Sequence, residues 1–197
     1  MESVSPPESL TALEPLWLAV ECATTDSVDT EELAAVAALT FPLACPPSTP
    51  AENVASFIEA NLRASRFDEY LADPRRAILI ARKDGRIIGY AMLIRGVDDL
   101  DIPADVQRAV DIRPAAELSK IYLLPDHHGS GASAALMRRA LETAGRWGAR
   151  CVWLGVNQEN QRAQRFYAKS GFTVNGTRTF QVGNRRENDY VMVRAVP

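Results

Sequence analysis

Apolar positions in this chain follow two rhythms, one of period two and one of helical spacing, and the changes between them outline the elements. Residues 1–12 are rich in Ser, Pro and Glu and read as a loose tail ahead of one domain over 13–197. The short apolar run 16–20 reads as a strand. Asp29, Thr30, Glu31 and Glu32 open a helix with acidic residues in its first turn, and Leu33, Val36, Ala37 and Thr40 repeat at helical spacing behind them. Pro42, Pro46, Pro47 and Pro50 end it. A second helix starts near Pro50, with Val54, Phe57, Ile58 and Leu62 as its apolar stripe.

Two β-type runs, 77–81 and 87–94, flank Lys83-Asp84-Gly85-Arg86, and a central Asp-Gly between apolar runs predicts a hairpin. Residues 96–114 carry Asp98, Asp99, Asp101, Asp105 and Asp111 with two prolines and read as an exposed excursion with room for a short helix. A strand over 118–124, a Gly-containing turn and a helix over 132–147 follow, with Gly148 placed as its C′ residue. Residues 151–156 read as a buried strand. Residues 160–170 read as a helix with Ala163, Phe166, Tyr167 and Ser170 on one face, ended by Gly171. Runs 172–182 and 189–196 close the chain as paired strands. The order β-α-α-β-β-β-α-β-α-β-β predicts an α/β chain, a mixed sheet with helices on both faces.

Composition narrows the function classes. A hydrophobic fraction of 47% and a charged fraction of 24% exclude disorder for the bulk of the chain. No run of 18 apolar residues exists and the first residues are acidic, so neither a membrane span nor a secretory signal is expected, and a cytoplasmic protein is. A net charge of −3 with both signs interspersed gives no reason to expect nucleic acid or an anionic membrane as partner. The three cysteines lie far apart without a C-x-x-C pair, which predicts reduced, mostly buried thiols and no metal centre. The two histidines, His127 and His128, are neighbours, so a site needing His from two elements cannot be built.

The segment that carries chemistry runs from Ile121 through Leu123, Pro125, His128 and Gly131 to Ser133. A strand enters a Gly-containing turn and then a helix whose first amides have no intrahelical partner. The helix dipole adds positive character there, and Gly129, Ser130, Gly131, Ala132 and Ser133 are small enough for an anion to approach. A phosphate group is the natural ligand; a tight connection that needs Gly for its dihedrals is the plain structural reading. Three rival motifs fail. A phosphate loop of Walker type needs a Lys that this turn lacks. A dinucleotide fingerprint needs a third Gly. A nucleophile elbow at Ser133 needs a later His, and none follows.

His128-Gly129-Ser130-Gly131-Ala132-Ser133 resembles the acetyl-CoA-binding motif of the GNAT superfamily of N-acetyltransferases, [Q/R]-x-x-G-x-[G/A], with His128 where Gln or Arg is usual and Ser133 where Gly or Ala is usual. A second signature resembles the family independently: Val156, Asn160, Ala163, Phe166-Tyr167 and Gly171-Phe172. The run 180–183 with 189–192 resembles the PaiA-like subgroup, which acts on small amines and polyamines. The resemblance is specific over 116–196 and limited to element order over 14–95. It implies the acyl-CoA N-acyltransferase fold, with a central mixed sheet of about six to seven strands. It also implies acetyl-CoA as co-substrate without a metal, and a primary amine of a small molecule or peptide as acceptor. A homodimer is compatible with it. A CoA-binding sensor or partner subunit without transferase activity is the alternative.

The resemblance also distributes roles. The amides of residues 128–133 would hold the pyrophosphate, and the backbones of Ile121 and Leu123 the pantetheine arm and acetyl carbonyl. Tyr167 would protonate the leaving thiolate; its helical spacing alone favours a core aromatic, and it is the match to the family motif that turns the reading toward an acid. Asn160 would cap its helix, contact pantetheine, or both. Glu117, read by simple alternation as sharing a strand face with Ile121 and Leu123, is the candidate general base, and otherwise a strand-end carboxylate. His127 and His128 are alternative bases on a loop that faces the pyrophosphate. Glu31, Glu32 and the Asp cluster at 98–105 would suit a cationic acceptor, or are simply solvated charges.

Overall fold

The computed structural model describes residues 17–96 and 103–197. Its elements run β1 (Leu18–Cys22), α1 (Thr30–Thr40), α2 (Ala51–Asn61), α3 (Ala64–Ala72), β2 (Arg76–Lys83), β3 (Arg86–Arg95), α4 (Ala104–Gln107), β4 (Ala115–Leu123), α5 (Ala132–Arg146), β5 (Cys151–Asn157), α6 (Gln161–Lys169), β6 (Thr173–Val182) and β7 (Arg185–Ala195). The strands form one seven-stranded sheet in the order β1-β2-β3-β4-β5-β7-β6. Every pairing is antiparallel except β4 with β5.

Local chemistry explains most of these elements. Asp29 caps α1, its carboxylate accepting from the amides of Glu31 and Glu32. Asp84 and Gly85 both take positive φ, 50° and 77°, which gives the β2–β3 hairpin the turn that its Asp-Gly pair predicts. Gly148 and Gly171 end α5 and α6 with φ of 76° and 85°. The predicted tail at residues 1–12 lies outside the described residues.

Helices cover both faces of the sheet. On one face α5 buries Ala132, Ala135, Leu136, Met137, Ala140 and Ala144 against Leu79, Leu93, Leu118 and Leu154. On the other, α1 and α3 bury Leu33, Phe67 and Tyr70 against Ile78, Ile80, Tyr90 and Met92. Three expectations are corrected. Helix α3 has no counterpart in the predicted order: it follows α2 with no Gly or Pro between them, so nothing in the sequence marks its start. The 96–114 segment is not an exposed excursion over its described part, because Val106 and Val110 are buried with Trp153, Val191 and Val193. Among the thiols Cys22 is exposed, Cys45 half-buried and Cys151 buried. No described helix is long and apolar enough to cross a membrane.

Candidate active site

The site forms where two parallel strands part. Strands β4 and β5 pair only at Ala115 with Cys151, Ala116 with Val152 and Glu117 with Trp153. Beyond Glu117 both strands continue without a ladder between them, and the sheet forks. The Leu124 amide donates to Ile88 O at 2.8 Å, so by strand alternation Tyr122 and Leu124 spend their backbone groups on β3. Ile121 and Leu123 therefore turn theirs into the fork. The Leu123 carbonyl there is met by His128 Nε2 at 3.0 Å.

A β-bulge decides which side chains face which way. Leu118 lies opposite Leu93 and Lys120 opposite Met92, which leaves Ser119 as an extra residue. One inserted residue reverses the alternation. Ile121 and Leu123 pack on the α5 side with Ala116 and Leu118. Glu117 faces the opposite side with Lys120 and Tyr122. This corrects the expectation that Glu117 shares a face with Ile121 and Leu123; simple alternation counts no bulge.

On that opposite side Glu117 joins a compact charged group. Arg178 Nη1 lies 3.7 Å from Glu117 Oε1 and Arg178 Nε 3.4 Å from Asp189 Oδ2. The guanidinium sits over the Trp153 ring at 5.4 Å from its centroid. Burial pushes the Glu117 carboxyl above its ordinary pKa, opposed by Arg178, Lys120 and Arg76. Burial lowers the Lys120 amine to about 8; Glu117 works against that shift while Arg76 and Arg178 reinforce it. Burial also raises Asp189, again opposed by Arg178, with Glu187 adding to the rise. Lys120, Arg178 and Asp189 were not selected from the sequence. One signal was available: Glu187 and Asp189 occupy the same two-residue period as the inward-facing Val191 and Val193.

The described acidic residues expected to meet a cation make other contacts or face solvent. Glu32 accepts from Arg86 Nε at 2.9 Å and from the Ile87 amide at 3.1 Å, tying α1 to the β2–β3 hairpin. Glu31 is exposed in the first turn of α1. Asp105 accepts from the Thr179 amide at 3.3 Å. Asp98, Asp99 and Asp101 lie outside the described residues.

The turn after β4 leaves a helix end open. Gly129 and Gly131 have φ of 81° and 87°, a region costly for other residues, and a Cβ on either would meet nothing within 4 Å. The His128 amide donates to Pro125 O and the Ser130 amide to His127 O, so both are spent inside the turn. The Ala132 amide donates to Ser130 Oγ at 3.3 Å. Among the described residues nothing accepts from the amides of Gly129, Gly131, Ser133 and Ala134. His127 ends a single 3₁₀ turn next to this loop.

Across the fork, Asn160 caps α6, its Oδ1 accepting from the Ala163 amide at 3.1 Å. The cap fixes the start of a helix whose Ala163, Phe166 and Tyr167 pack on the α5-side core. The Tyr167 ring lies 5.5 Å from Phe166 and 6.1 Å from Phe172. Its hydroxyl has no hydrogen-bond partner among the described residues. Burial raises the Tyr167 phenol above its ordinary pKa, with the Asp189 charge adding to it. Burial likewise raises Tyr122, with Tyr167, Cys45 and Asp189 adding to it and Arg178 opposing. Tyr167 reaches from one face of the sheet and Tyr122 and Asp189 lie on the other. They influence one another where the strands have parted.

The chain is similar to known proteins in sequence and in fold. The model of the acetyltransferase (GNAT) family matches residues 40–172. The chain is similar to an uncharacterized N-acetyltransferase of Mycobacterium tuberculosis, 65% identical over 166 residues that cover 84% of this chain and 97% of that protein. Among solved structures it is similar to the PaiA N-acetyltransferase of Thermoplasma acidophilum in complex with coenzyme A. That likeness has a TM-score of 0.69 at 20% identity, covering 90% of this chain and 98% of the other. It is also similar to the ribosomal-protein-S18-alanine N-acetyltransferase of Escherichia coli, with a TM-score of 0.61 at 16% identity over 91% and 94% of the two chains. The structural likenesses speak for the fold alone. Membership rests on the family model and on the mycobacterial relative: this chain belongs to the GNAT family of acetyltransferases and is an N-acetyltransferase.

Proposed function

We propose that the chain transfers an acetyl group from acetyl-CoA directly to a primary amine of a small molecule or peptide. The observation that carries this reading is the N-terminus of α5, where the amides of Gly129, Gly131, Ser133 and Ala134 meet no acceptor among the described residues, set at the end of a strand whose backbone edge turns into the fork. The amides of Gly129, Gly131, Ser133 and Ala134 suit a pyrophosphate, because they point outward from a helix end with positive dipole character and small side chains. His128 and Ser130 contribute by shaping the turn, their amides being used within it. Ile121 and Leu123 offer backbone groups to the pantetheine arm and the acetyl carbonyl. Acetyl-CoA, when bound, supplies the activated thioester.

The remaining work is proton transfer by this chain's own residues. Glu117 stands at the last rung of the β4–β5 ladder, partly desolvated, and takes the proton from the incoming amine directly or through water. Tyr167 keeps its proton at neutral pH and delivers it, or a hydrogen bond, to the departing sulfur. The subgroup resemblance favours a small amine, polyamines included. Glu117 and Asp189 are both already met by Arg178, so the described residues at the fork offer a polyamine no surplus negative charge.

Thiol release from acetyl-CoA with a panel of monoamines, polyamines and peptide N-termini tests the reading. At least one amine should raise release well above the acceptor-free rate. Glu117→Gln should then lower kcat/KM by about 10²–10⁴, the range of such proton transfers. Acetyl-CoA binding without turnover on any amine would favour a sensor instead. A fully active Gln variant would move the base to a water chain or to His127.

A further inference from the structure

Four strands converge on one guanidinium at the fork. Arg178 extends from β6 across β7 to reach β5 and β4, touching Asp189, Trp153 and Glu117 on the way. It can do so because Gly155 of β5 has no side chain: a Cβ there would overlap the guanidinium. The Arg178, Glu117 and Asp189 side chains keep only 15%, 23% and 8% of their exposure, so water screens this group far less than a surface pair.

We propose that Arg178, seated in the space left by Gly155 and held on its other edge by Asp189, is the positioning residue that keeps the Glu117 carboxylate oriented and ionised at the fork. The inference rests on the reading of Glu117 as general base. The groups that face Glu117 are Arg178 from β6, Lys120 on its own strand and Arg76 from β2. Its strand neighbours, Ile94 of β3 and Trp153 of β5, do not titrate. Of the three cations, Arg76 is already engaged by Asp73 at 3.1 Å, whereas Arg178 makes the ion pair with Glu117 itself. Asp189 competes for the same guanidinium and keeps it from swinging away. Removing Arg178, or displacing it, leaves Glu117 desolvated with less compensation, so the carboxylate holds its proton to higher pH.

The test titrates Glu117 directly by ¹³C NMR of glutamate-labelled protein, its signal identified by loss in Glu117→Gln. No acetyl-CoA or amine is needed. In Arg178→Met the midpoint should rise by about one pH unit or more, the size expected when an opposite charge within a few ångströms is removed. Gly155→Ala, which removes no charge and only displaces the guanidinium, should shift it in the same direction. Arg178→Lys should stay closer to wild type. With an accepted amine, the acidic limb of the kcat/KM profile should move up by the same amount while KM for acetyl-CoA holds. A midpoint that stays or falls in both folded variants overturns the proposal. If Arg178→Met proves unfolded by circular dichroism, Gly155→Ala decides alone. An upward shift in a protein that acetylates no amine would end the transferase mechanism while leaving the Arg178–Glu117 coupling in place, so the two failures are distinguishable.

Discussion

The helices that follow the two arms of the fork begin in opposite ways. Helix α6 uses its own side chains: Asn160 caps the Ala163 amide, Asn157 Oδ1 accepts from the Glu159 amide at 2.8 Å, and Gln164 donates back to the carbonyls of Asn157 and Gln158. Helix α5 has no side-chain cap on Gly131 and leaves amides facing outward. Packing explains why each can afford its start. Helix α5 has 15 residues and buries seven of them; α6 has nine residues and buries none fully. A short, half-exposed helix depends on its cap, worth about 1 kcal/mol, while a long buried one holds without it. The difference in structure is a difference in what is offered: α5 presents backbone amides, and α6 presents the Tyr167 side chain.

The sharpest way to break this contrast is to block the open end. Gly131→Glu places a carboxylate where the amides face outward, and like charges in contact cost several kcal/mol. Acetyl-CoA affinity by calorimetry should fall by at least about 100-fold. Unchanged affinity would remove the pyrophosphate from this turn. Next comes the side chain that α6 presents. Tyr167→Phe keeps the ring and its packing, so stability and acetyl-CoA affinity should stay near wild type while kcat drops about 10- to 1000-fold. Because burial and the Asp189 charge hold the phenol protonated, that drop should be the same from about pH 6 to about pH 9. A Phe variant with normal turnover, where chemistry limits the rate, would make Tyr167 a packing residue only. The smallest effect belongs to the cap. Asn160→Ala should lower stability by about 1 kcal/mol in denaturant unfolding and reduce kcat less than Tyr167→Phe does. A tenfold or greater loss of acetyl-CoA affinity in Asn160→Ala would instead give Asn160 a direct role in binding.

Much of the fold was legible because its signals are local. Asp84-Gly85 specifies its hairpin by the dihedrals that only such pairs adopt readily, and Gly148 and Gly171 end their helices for the same reason. The open turn at Gly129 and Gly131 was legible too, as spacing of small residues after a strand. What escaped was non-local or unsignalled. Helix α3 is held by Phe67 and Tyr70 packing under α1 and against the sheet, not by any start signal of its own. The polar group around Glu117 draws on β4, β6 and β7, and no window of sequence contains it.

The sequence by itself determined the seven strands and most of the helices between them, though not α3, together with the Gly turn ahead of α5 and the Asn160 cap of α6, and its resemblance to a family singled out Tyr167 and Glu117 as the residues worth testing. The elements, the turn and the cap are matters of neighbours within a few positions, where dihedral preference and side-chain chemistry act directly. Only the tertiary structure decided how far β4 and β5 stay paired, which face Glu117 occupies, and what charge surrounds it. A one-residue bulge at Ser119 carries no distinctive residue, yet it reverses the alternation of the strand and turns Glu117 away from Ile121 and Leu123. Arg178 meets Glu117 at a sequence separation of 61 because β6 and β4 are brought to either side of β5 and β7, and Gly155 leaves the room in which they meet.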